Sequence, residues 1–163
     1  MYIVQPLRTV EEARRIIQFF FSPHVFDHQW APGEKALLQE SVLTSVSDGA
    51  THQYWFIEDK GNVIGAIGVN ENSYKSGGFE MTDDYMAVHP EYRKKGLATQ
   101  LLVTTEQFVK KQNGRYILIE TCDIPSYAPA RAFYEKQGYK KVGEIPDYYN
   151  PGEGKIEYYK KII

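Results

Sequence analysis

The chain has 163 residues, of which 42% are hydrophobic and 14% aromatic. This is enough apolar material for the core of one domain, and it excludes a disordered chain. Nineteen basic and twenty-one acidic residues leave a formal net charge of −2, whereas a general nucleic-acid binder normally carries a strong basic excess.

Membrane and secretion signals are missing from the sequence pattern. No apolar run approaches the ~20 residues of a membrane span, and residues 1–7 lack the cationic and apolar pattern of a signal peptide. The one cysteine, Cys122, cannot form an internal disulfide, which fits a reducing compartment. We therefore predict a single domain over residues 1–163, located in the cytoplasm, with no nucleic-acid or membrane partner.

The first third of the chain predicts one strand and two helices. A short strand is expected over residues 2–6. Thr9 and Glu12 form a capping box, which predicts the start of an amphipathic helix. Two prolines indicate a loop over residues 22–33, and a second helix is expected from residue 34 to about residue 47.

The middle of the chain predicts three strands and a long helix. Residues 52–58 and 63–70 flank a turn-forming tetrad and predict a hairpin. Residues 80–88 predict a third strand, which ends before Pro90 because proline cannot donate to a ladder. Apolar residues at helical spacing then predict a helix over residues 96–112.

The last third predicts a strand, a short helix and a final hairpin. The strand at residues 116–121 looks buried, and the helix is expected over residues 129–137. Strands at residues 139–144 and 155–162 predict a hairpin with a long connecting loop. The whole order of elements indicates a mixed α/β fold rather than a repeated βαβ array.

The segment that carries chemistry is YMAVHPEYRKKGLAT at residues 85–99. A strand end and a proline turn lead to three consecutive cations, and Gly96 then opens a helix. The first N–H groups of a helix have no internal partner, and the helix dipole places partial positive charge there. Gly96 and the small Ala98 let a ligand approach the backbone closely. This pattern predicts a phosphate or pyrophosphate site, and the alternative is an exposed basic turn that caps a helix.

Two motifs, taken in order, resemble the GNAT superfamily of N-acetyltransferases. RKKGLA at residues 93–98 fits its Q/R-x-x-G-x-G/A signature, and ARAFYEKQGY at residues 130–139 is similar to its A-x-x-L/F-Y-x-K-x-G-F/Y motif. The order of elements resembles that family across nearly the whole chain. The resemblance implies a single α/β domain with a mixed, mostly antiparallel central sheet, flanking helices and splayed central strands.

The resemblance implies acetyl-CoA as co-substrate, and neither it nor the sequence suggests a metal. In this family the pyrophosphate lies on the amides of the signature, and the pantetheine arm pairs with the preceding strand. Tyr127 stands where the second motif often has an asparagine that holds pantetheine, and its hydroxyl or ring could supply that contact. The acetyl-CoA-binding residues that the resemblance implies, besides Tyr127, are Met86, Ala87, Val88, Arg93, Lys94, Lys95, Gly96, Leu97, Ala98 and Thr99.

The same resemblance implies catalytic roles. The amide of Val88 would stabilise the developing oxyanion, and Tyr134 would protonate the departing thiolate, since a phenol with a pKa of roughly 10 keeps its proton at neutral pH. The alternative for Tyr134 is a core aromatic on a helix face. Strand alternation puts Glu80 and Asp84 on one face as candidate general bases, with Asp83 a competitor on the other.

Two segments are candidates for the walls of the acceptor site. In the family, the loop between the first two helices usually walls this site; the alternative is a loop pinned by its own aromatic side chains. Residues 147–152 could form the opposite wall. The carboxylates of residues 80, 83, 84 and 147 together suggest an acidic cleft suited to a cationic amine. The loop residues in question are His24, Asp27, His28 and Trp30.

We therefore predict transfer of the acetyl group of acetyl-CoA to a primary amine of a small molecule, by direct attack in a ternary complex. Two alternatives stay open. The acceptor could be a peptide or protein N-terminus or lysine, or the domain could be a CoA-binding sensor without turnover. Domains of this family often dimerise through terminal strands, so a homodimer is a further expectation.

Overall fold

The computed structural model describes residues 2–82 and 84–163. The helices are α1 (Val10–Phe20), α2 (Glu34–Ser45), α3 (Leu97–Lys111) and α4 (Ala128–Lys136). The strands are β1 (Val4–Pro6), β2 (His52–Asp59), β3 (Asn62–Glu71), β4 (Gly78–Met81), β5 (Met86–Val88), β6 (Tyr116–Cys122), β7 (Lys140–Asn150) and β8 (Glu153–Lys161).

The strands form one mixed sheet in the order β1-β2-β3-β4-β6-β8-β7, and β5 pairs with β3 beside β4. The pairings among the described strands are antiparallel, except for the parallel pair of β4 and β6. This confirms the expected α/β fold with a mixed, mostly antiparallel sheet.

Helices cover both faces of the sheet. Side chains along a strand alternate between the two faces, so each face presents apolar side chains to the helices that cover it. On one face, α1 and α2 pack on Tyr54 and Phe56 of β2. On the other, Phe108 of α3 packs on Trp55 of the same strand, and Tyr134 of α4 packs on Tyr158 of β8. The capping box of α1 is present as predicted: the Thr9 hydroxyl accepts from the Glu12 amide at 3.1 Å, and the Glu12 carboxylate accepts from the Thr9 amide at 3.1 Å.

The prediction of one strand over residues 80–88 is wrong. The chain leaves the sheet after Met81 and rejoins it at Met86. Buried polar groups from other elements hold the intervening segment: the amide of Tyr85 donates to the Tyr54 hydroxyl at 3.2 Å, and Asp84 accepts from Ser41. Strand alternation therefore does not run from residue 80 to residue 84.

The break splays the centre of the sheet. The last pair of β4 with β6 joins Met81 to Ile119, and β5 pairs with β3 alone among the described strands. We call the space between β5 and residues 120–122 of β6 the split. This is the splay of the central strands that was expected from the family resemblance.

The long loop predicted between the last two strands is also wrong. β7 continues to Asn150, which pairs with Glu153 across a tight turn. The register is irregular between Ile145 and Asn150, and Asp147 within this stretch has a positive φ of 56°. Its carboxylate accepts from the Gly152 amide at 2.7 Å, which closes the turn. Residues that normally mark loops here form a bulged strand instead.

No helix in residues 2–82 or 84–163 combines the length and the apolar character needed to cross a bilayer.

Candidate active site

A large open cavity passes through the split, with a volume of about 520 Å³. Its walls come from the α1–α2 loop, the segment between β4 and β5, the start of α3, the C-terminal end of β6, α4 and the β7–β8 hairpin. The volume lies in the range of small-molecule sites. The segments that the sequence singles out for chemistry therefore meet at one place.

One end of the cavity is an anion cradle built from backbone. Lys94 and Gly96 have positive φ angles of 62° and 81°, an arrangement that can turn successive amides towards an anion. Helix α3 follows without a side-chain cap or an acid in its first turn, and its first internal hydrogen bond is donated by the Gln100 amide. A Cβ at Gly96 would meet nothing within 4 Å, so the space beside this backbone is open. The cradle fits a pyrophosphate.

One edge of β5 faces the split and is paired with no other described strand. The Gly68 amide donates to the Tyr85 carbonyl at 3.1 Å, and the His89 amide donates to the Ile64 carbonyl at 2.7 Å, so residues 85 and 89 bond towards β3. Alternation then turns the amides of Met86 and Val88 away from β3 and into the split. The Val88 carbonyl on this edge accepts from Nε of Arg93 at 3.1 Å. This edge is available for pairing with an extended ligand.

Tyr134 projects from α4 into the cavity wall. Its ring packs against Tyr139 and Tyr158, so the side chain also belongs to the core. Its hydroxyl makes no hydrogen bond to any residue in the described part of the chain. Burial raises the pKa of Tyr134, so the phenol carries its proton at neutral pH.

Glu120 is a carboxylate of the cavity wall that the sequence analysis missed. It lies on β6 directly after the last residue that pairs with β4. Its Oε2 accepts from the Tyr149 hydroxyl at 3.0 Å, and its Oε1 lies 3.5 Å from Nζ of Lys155. Burial raises the pKa of Glu120, although Lys155 acts in the opposite direction. The signal was present as an acidic residue inside an otherwise buried-looking strand.

The predicted carboxylates occupy different environments. Asp84 lines the cavity and is buried, and its Oδ1 accepts from Nε2 of His52 at 2.7 Å. Its Oδ2 has no hydrogen-bond partner among the described residues. Glu80 lies in β4 opposite Asn70 and does not line the cavity. Asp83 lies outside the described residues, and Asp147 is exposed on β7, away from the cavity walls.

The α1–α2 loop walls the cavity through a polar cluster. Nε2 of His28 donates to Glu34 at 2.8 Å, and the Tyr85 hydroxyl donates to the same carboxylate oxygen at 2.8 Å. The other ring nitrogen of His28 is hydrogen-bonded to the Tyr127 hydroxyl. Burial alone would raise the pKa of Glu34, but hydrogen bonds from His28 and from the Ala31 amide lower it. An ionised Glu34 thus orients the ring that holds Tyr127.

The same loop is bonded to the tip of the β7–β8 hairpin. The Gln29 amide donates to Glu153 at 3.2 Å, and the Asn150 side chain donates to the Gln29 carbonyl at 3.1 Å. Glu153 and Tyr149 line the cavity, whereas Tyr148 does not. Two segments that are distant in sequence therefore join beside the end of the cavity opposite the anion cradle.

Most of the residues predicted for acetyl-CoA line this cavity. Lys95 does not: its Nζ lies over the Tyr92 ring, 5.3 Å from the centroid. The described residues also contain no group of three or more His, Cys, Asp or Glu side chains arranged to hold a metal ion. The predicted residues that do line the cavity are Met86, Ala87, Val88, Arg93, Lys94, Gly96, Leu97, Ala98, Thr99 and Tyr127, together with Tyr134 and Asp84.

A protein-family model identifies the family of this chain. The family model of the acetyltransferase (GNAT) domain matches residues 50–141, which is more than half of the chain. The chain belongs to the GNAT family. This match covers the split, the anion cradle and α4, so the GNAT motifs read from the sequence lie in the part of the fold that forms the cavity.

Relatives of this GNAT chain include an N-alpha-acetyltransferase from Saccharolobus solfataricus, 42% identical over 69 residues, which are 42% of this chain and 40% of the relative. N-acetyltransferase 8 from Homo sapiens is 27% identical over 142 residues, which are 79% of this chain and 61% of the relative. Both alignments therefore span less than two thirds of the length of the curated relatives.

Solved structures share the fold. A protein from Desulfovibrio desulfuricans assigned to the GNAT family has a TM-score of 0.83 and 23% identity, with all of both chains covered. An aminoglycoside 6'-N-acetyltransferase in complex with coenzyme A has a TM-score of 0.74 and 19% identity, with 99% of this chain and 97% of the other covered.

Proposed function

We propose that this GNAT chain transfers the acetyl group of acetyl-CoA to a primary amine of a small, cationic molecule, by direct attack in a ternary complex. The observation that carries the proposal is the position of Glu120. It lies beside the split, in the same cavity as the free amide edge of β5 and the Tyr134 hydroxyl. A proton acceptor, an oxyanion donor and a proton donor thus line one space.

Acetyl-CoA would supply the activated acetyl thioester. Gly96 and the first turn of α3 would hold its pyrophosphate, with Arg93 and Lys94 adding charge at the same end of the cavity. The outward amide of Met86 would pair with its pantetheine arm, which leaves the Val88 amide for the thioester carbonyl. The structure of a GNAT relative with bound coenzyme A supports this assignment at the level of the fold.

The reaction needs one acceptor and one donor of protons. A cationic amine arrives as an ammonium without a lone pair, so it must first lose one proton to solvent or to Glu120. The neutral nitrogen then attacks the carbonyl carbon, the C–S bond breaks, and nitrogen loses a second proton while the thiolate gains one. Glu120 would accept the proton from nitrogen, and Tyr134 would give its proton to sulfur. The Val88 amide would donate to the carbonyl oxygen while charge develops on it. No covalent intermediate with the protein is required.

We prefer Glu120 to Asp84 as the base because of their surroundings. The Asp84 side chain is fully buried, and its Oδ1 is held by Ser41 and His52, whereas 16% of the Glu120 side chain is exposed. The burial that raises the pKa of Glu120 brings this carboxyl closer to the pKa range in which a base works best at neutral pH.

We call the end of the cavity opposite the anion cradle the acceptor end; it is formed by the α1–α2 loop, Glu120 and the β7–β8 hairpin. The charges of the cavity favour a cationic amine at this end. Five carboxylates line the cavity, whereas its cations, Arg93 and Lys94, lie at the cradle. The bonds from Gln29 to the β7–β8 hairpin join the walls of the acceptor end, which favours a compact substrate over a folded protein surface. The five carboxylates are those of Asp27, Glu34, Asp84, Glu120 and Glu153.

A peptide N-terminus is the second candidate acceptor. The local similarity to an N-alpha-acetyltransferase, 42% identical over 69 residues, favours it. A peptide end also presents an ammonium group, so the same carboxylates would attract it.

Thiol release from acetyl-CoA across an amine panel tests the function. The panel should contain spermidine, an aminoglycoside, a peptide with a free N-terminus and a lysine peptide. Release with the small cationic amines is the expected result. Release with the peptide N-terminus alone would show that the acceptor is a peptide rather than a small amine. Acetyl-CoA binding without thiol release in the presence of any amine would favour a sensor.

Glu120→Gln and Asp84→Asn test the base. Loss of general base catalysis should lower kcat/KM of Glu120→Gln by about 100-fold or more, with acetyl-CoA affinity kept. The exposed Glu144→Gln is the control for a neutralised glutamate. A larger loss in Asp84→Asn, with near-normal turnover in Glu120→Gln, would move the base to Asp84.

A further inference from the structure

Lys155 is a buried lysine on β8, with only 8% of its surface exposed. In the pairing of β6 with β8 it lies opposite Cys122, and Glu157 lies opposite Glu120. Because side chains at alternate positions share a face of the sheet, Lys155, Glu157 and Glu120 lie on the same face, with Lys155 diagonal to Glu120. Burying a charged side chain is costly unless it is paired, so this lysine needs a partner.

The partner is Glu120. Nζ of Lys155 lies 3.5 Å from Oε1 of Glu120, and it also lies over the Tyr148 ring at 4.0 Å from the centroid. The Tyr149 hydroxyl holds the other carboxylate oxygen at 3.0 Å. Each oxygen of Glu120 thus has a neighbour from the final hairpin, and Tyr149 lines the cavity together with Glu120.

We propose that Lys155 is a positioning residue that keeps Glu120 ionised and oriented towards the cavity, so that this carboxylate can accept a proton from the acceptor amine. The inference rests on the proposed function, because it concerns the same base. Lys155 itself does not line the cavity, so it would act through Glu120 rather than on the substrate.

The surroundings of Glu120 shift its pKa in opposite directions. Burial and the carboxylate of Glu157 raise the pKa of Glu120, and Lys155 and the Tyr149 hydroxyl lower it. Burial alone would lower the pKa of Lys155, but Glu120 and Glu157 raise it above its usual value. The ammonium group therefore stays charged. The other titratable groups in this region are Tyr148 on β7, Cys122 on β6, Glu153 on β8 and Tyr85 across the cavity.

The arrangement has a definite consequence for the pH profile. The acid limb of kcat/KM for the amine reports the protonation of an essential base before the amine binds, together with the ionisation of the amine, which is the same for every variant. Without the Lys155 charge, the carboxylate of Glu120 would be protonated up to a higher pH, and the acid limb would move upward. Without the Glu157 charge, the limb would move downward.

The test uses the full chain and kcat/KM for one amine acceptor as a function of pH, with acetyl-CoA saturating. Lys155→Met should shift the acid limb upward by about one pH unit, since an opposite charge within ~4–6 Å typically moves a carboxyl pKa by 1–3 units. Lys155→Arg should restore the wild-type limb. Glu157→Gln should shift the limb in the opposite direction, and by less.

A structural role alone would change the amount of folded protein without moving the limb. If Lys155→Met does not fold, the same pH profile is measured on Lys155→Gln. An NMR titration of the labelled Glu120 carboxyl also gives its pKa without turnover. An unshifted limb and an unshifted carboxyl titration would overturn the proposal, and the proposed function would stand if Glu120→Gln is still inactive. Near-normal activity of Glu120→Gln would instead overturn Glu120 as the base.

Discussion

The two ends of the cavity are built in different ways. The cradle end comes from two short stretches of sequence, residues 85–99 and 127–134. The acceptor end is assembled from the α1–α2 loop, from Glu120 on β6 and from the β7–β8 hairpin, which lie far apart in the chain. The first end carries Arg93 and Lys94, and the second carries carboxylates.

The difference teaches which features can be encoded locally. An anion cradle needs backbone amides, two left-handed residues and a helix start, and a few consecutive residues can specify all of these. A site for a particular acceptor needs side chains from several elements. Its composition therefore depends on the pairing of distant strands, such as that of β6 with β8.

Tyr134→Phe should produce the largest effect among the variants that test this contrast, and it acts at the cradle end. Loss of the hydroxyl removes the proposed proton donor and keeps the ring packing. We expect kcat to fall by about 100-fold, with acetyl-CoA affinity nearly unchanged in a direct binding measurement.

Tyr139→Phe is the matched control for this substitution. Tyr139 is also buried and belongs to the same aromatic cluster, but its hydroxyl donates to Glu106 and does not line the cavity. Its loss should lower stability more than turnover. If Tyr134→Phe retained wild-type turnover in single-turnover kinetics, Tyr134 would be a core aromatic only.

Gly96→Asp should weaken the cradle itself. The variant puts a side chain and a negative charge into the open space beside the first turn of α3. We expect acetyl-CoA affinity, measured by calorimetry, to fall by about tenfold or more, since each factor of ten corresponds to ~1.4 kcal/mol.

Gly61→Asp is the control for the backbone. Gly61 has a similar φ of 79°, and a Cβ at this position would also meet nothing within 4 Å, but it lies in the β2–β3 turn. Both variants force an aspartate into left-handed backbone, so both should lose some stability. Equal acetyl-CoA affinity in the two variants would show that the pyrophosphate does not bind in the anion cradle.

The same contrast explains how far the sequence analysis could reach. The capping box at Thr9, the α3 signature and the α4 motif are local patterns, and the corresponding helices are present. The strand break after Met81 is not local, because Tyr54 and Ser41, from other elements, hold the amide of Tyr85 and the side chain of Asp84. Only the folded chain brings these groups together.

The candidate carboxylates follow the same rule. Strand alternation predicts Glu80 and Asp84 on one face of a single strand. The strand ends after Met81, however, so the two carboxylates are separated, and only Asp84 lines the cavity. Glu120 was visible as an acid in a buried strand, yet its importance depends on where β4 stops pairing with β6. That point is set by the sheet rather than by β6 itself.

Tyr127→Phe should affect both ends, because the bond between Tyr127 and His28 joins α4's leading turn to the α1–α2 loop. A hydrogen bond of about 1 kcal/mol corresponds to roughly a fivefold change. We therefore expect the acetyl-CoA Kd and the acceptor KM each to rise by a few-fold. Tyr148→Phe, an exposed tyrosine outside the cavity, should change neither. A rise in only one constant would show that the bond does not couple the two ends.

The smallest expected effect concerns salt, and it separates the two ends by charge. The acidic acceptor end should attract di- and polycationic amines, and salt should weaken this attraction, because the Debye length is ~8 Å at physiological ionic strength and shorter at higher salt. We expect KM for spermidine to rise by about threefold from low to high salt, with little change for a neutral amine of similar size.

The residues responsible can be separated by a matched pair. Asp27→Asn removes an exposed carboxylate that lines the cavity, and Asp147→Asn removes one that does not. The salt dependence for spermidine should be reduced in the first variant and kept in the second. Preference for an acidic amino acid, or a salt dependence that is equal for cationic and neutral amines, would contradict an acidic acceptor end. Acetyl transfer itself would be unaffected by that result, because the cradle, Val88 and Tyr134 do not depend on the charge of the acceptor.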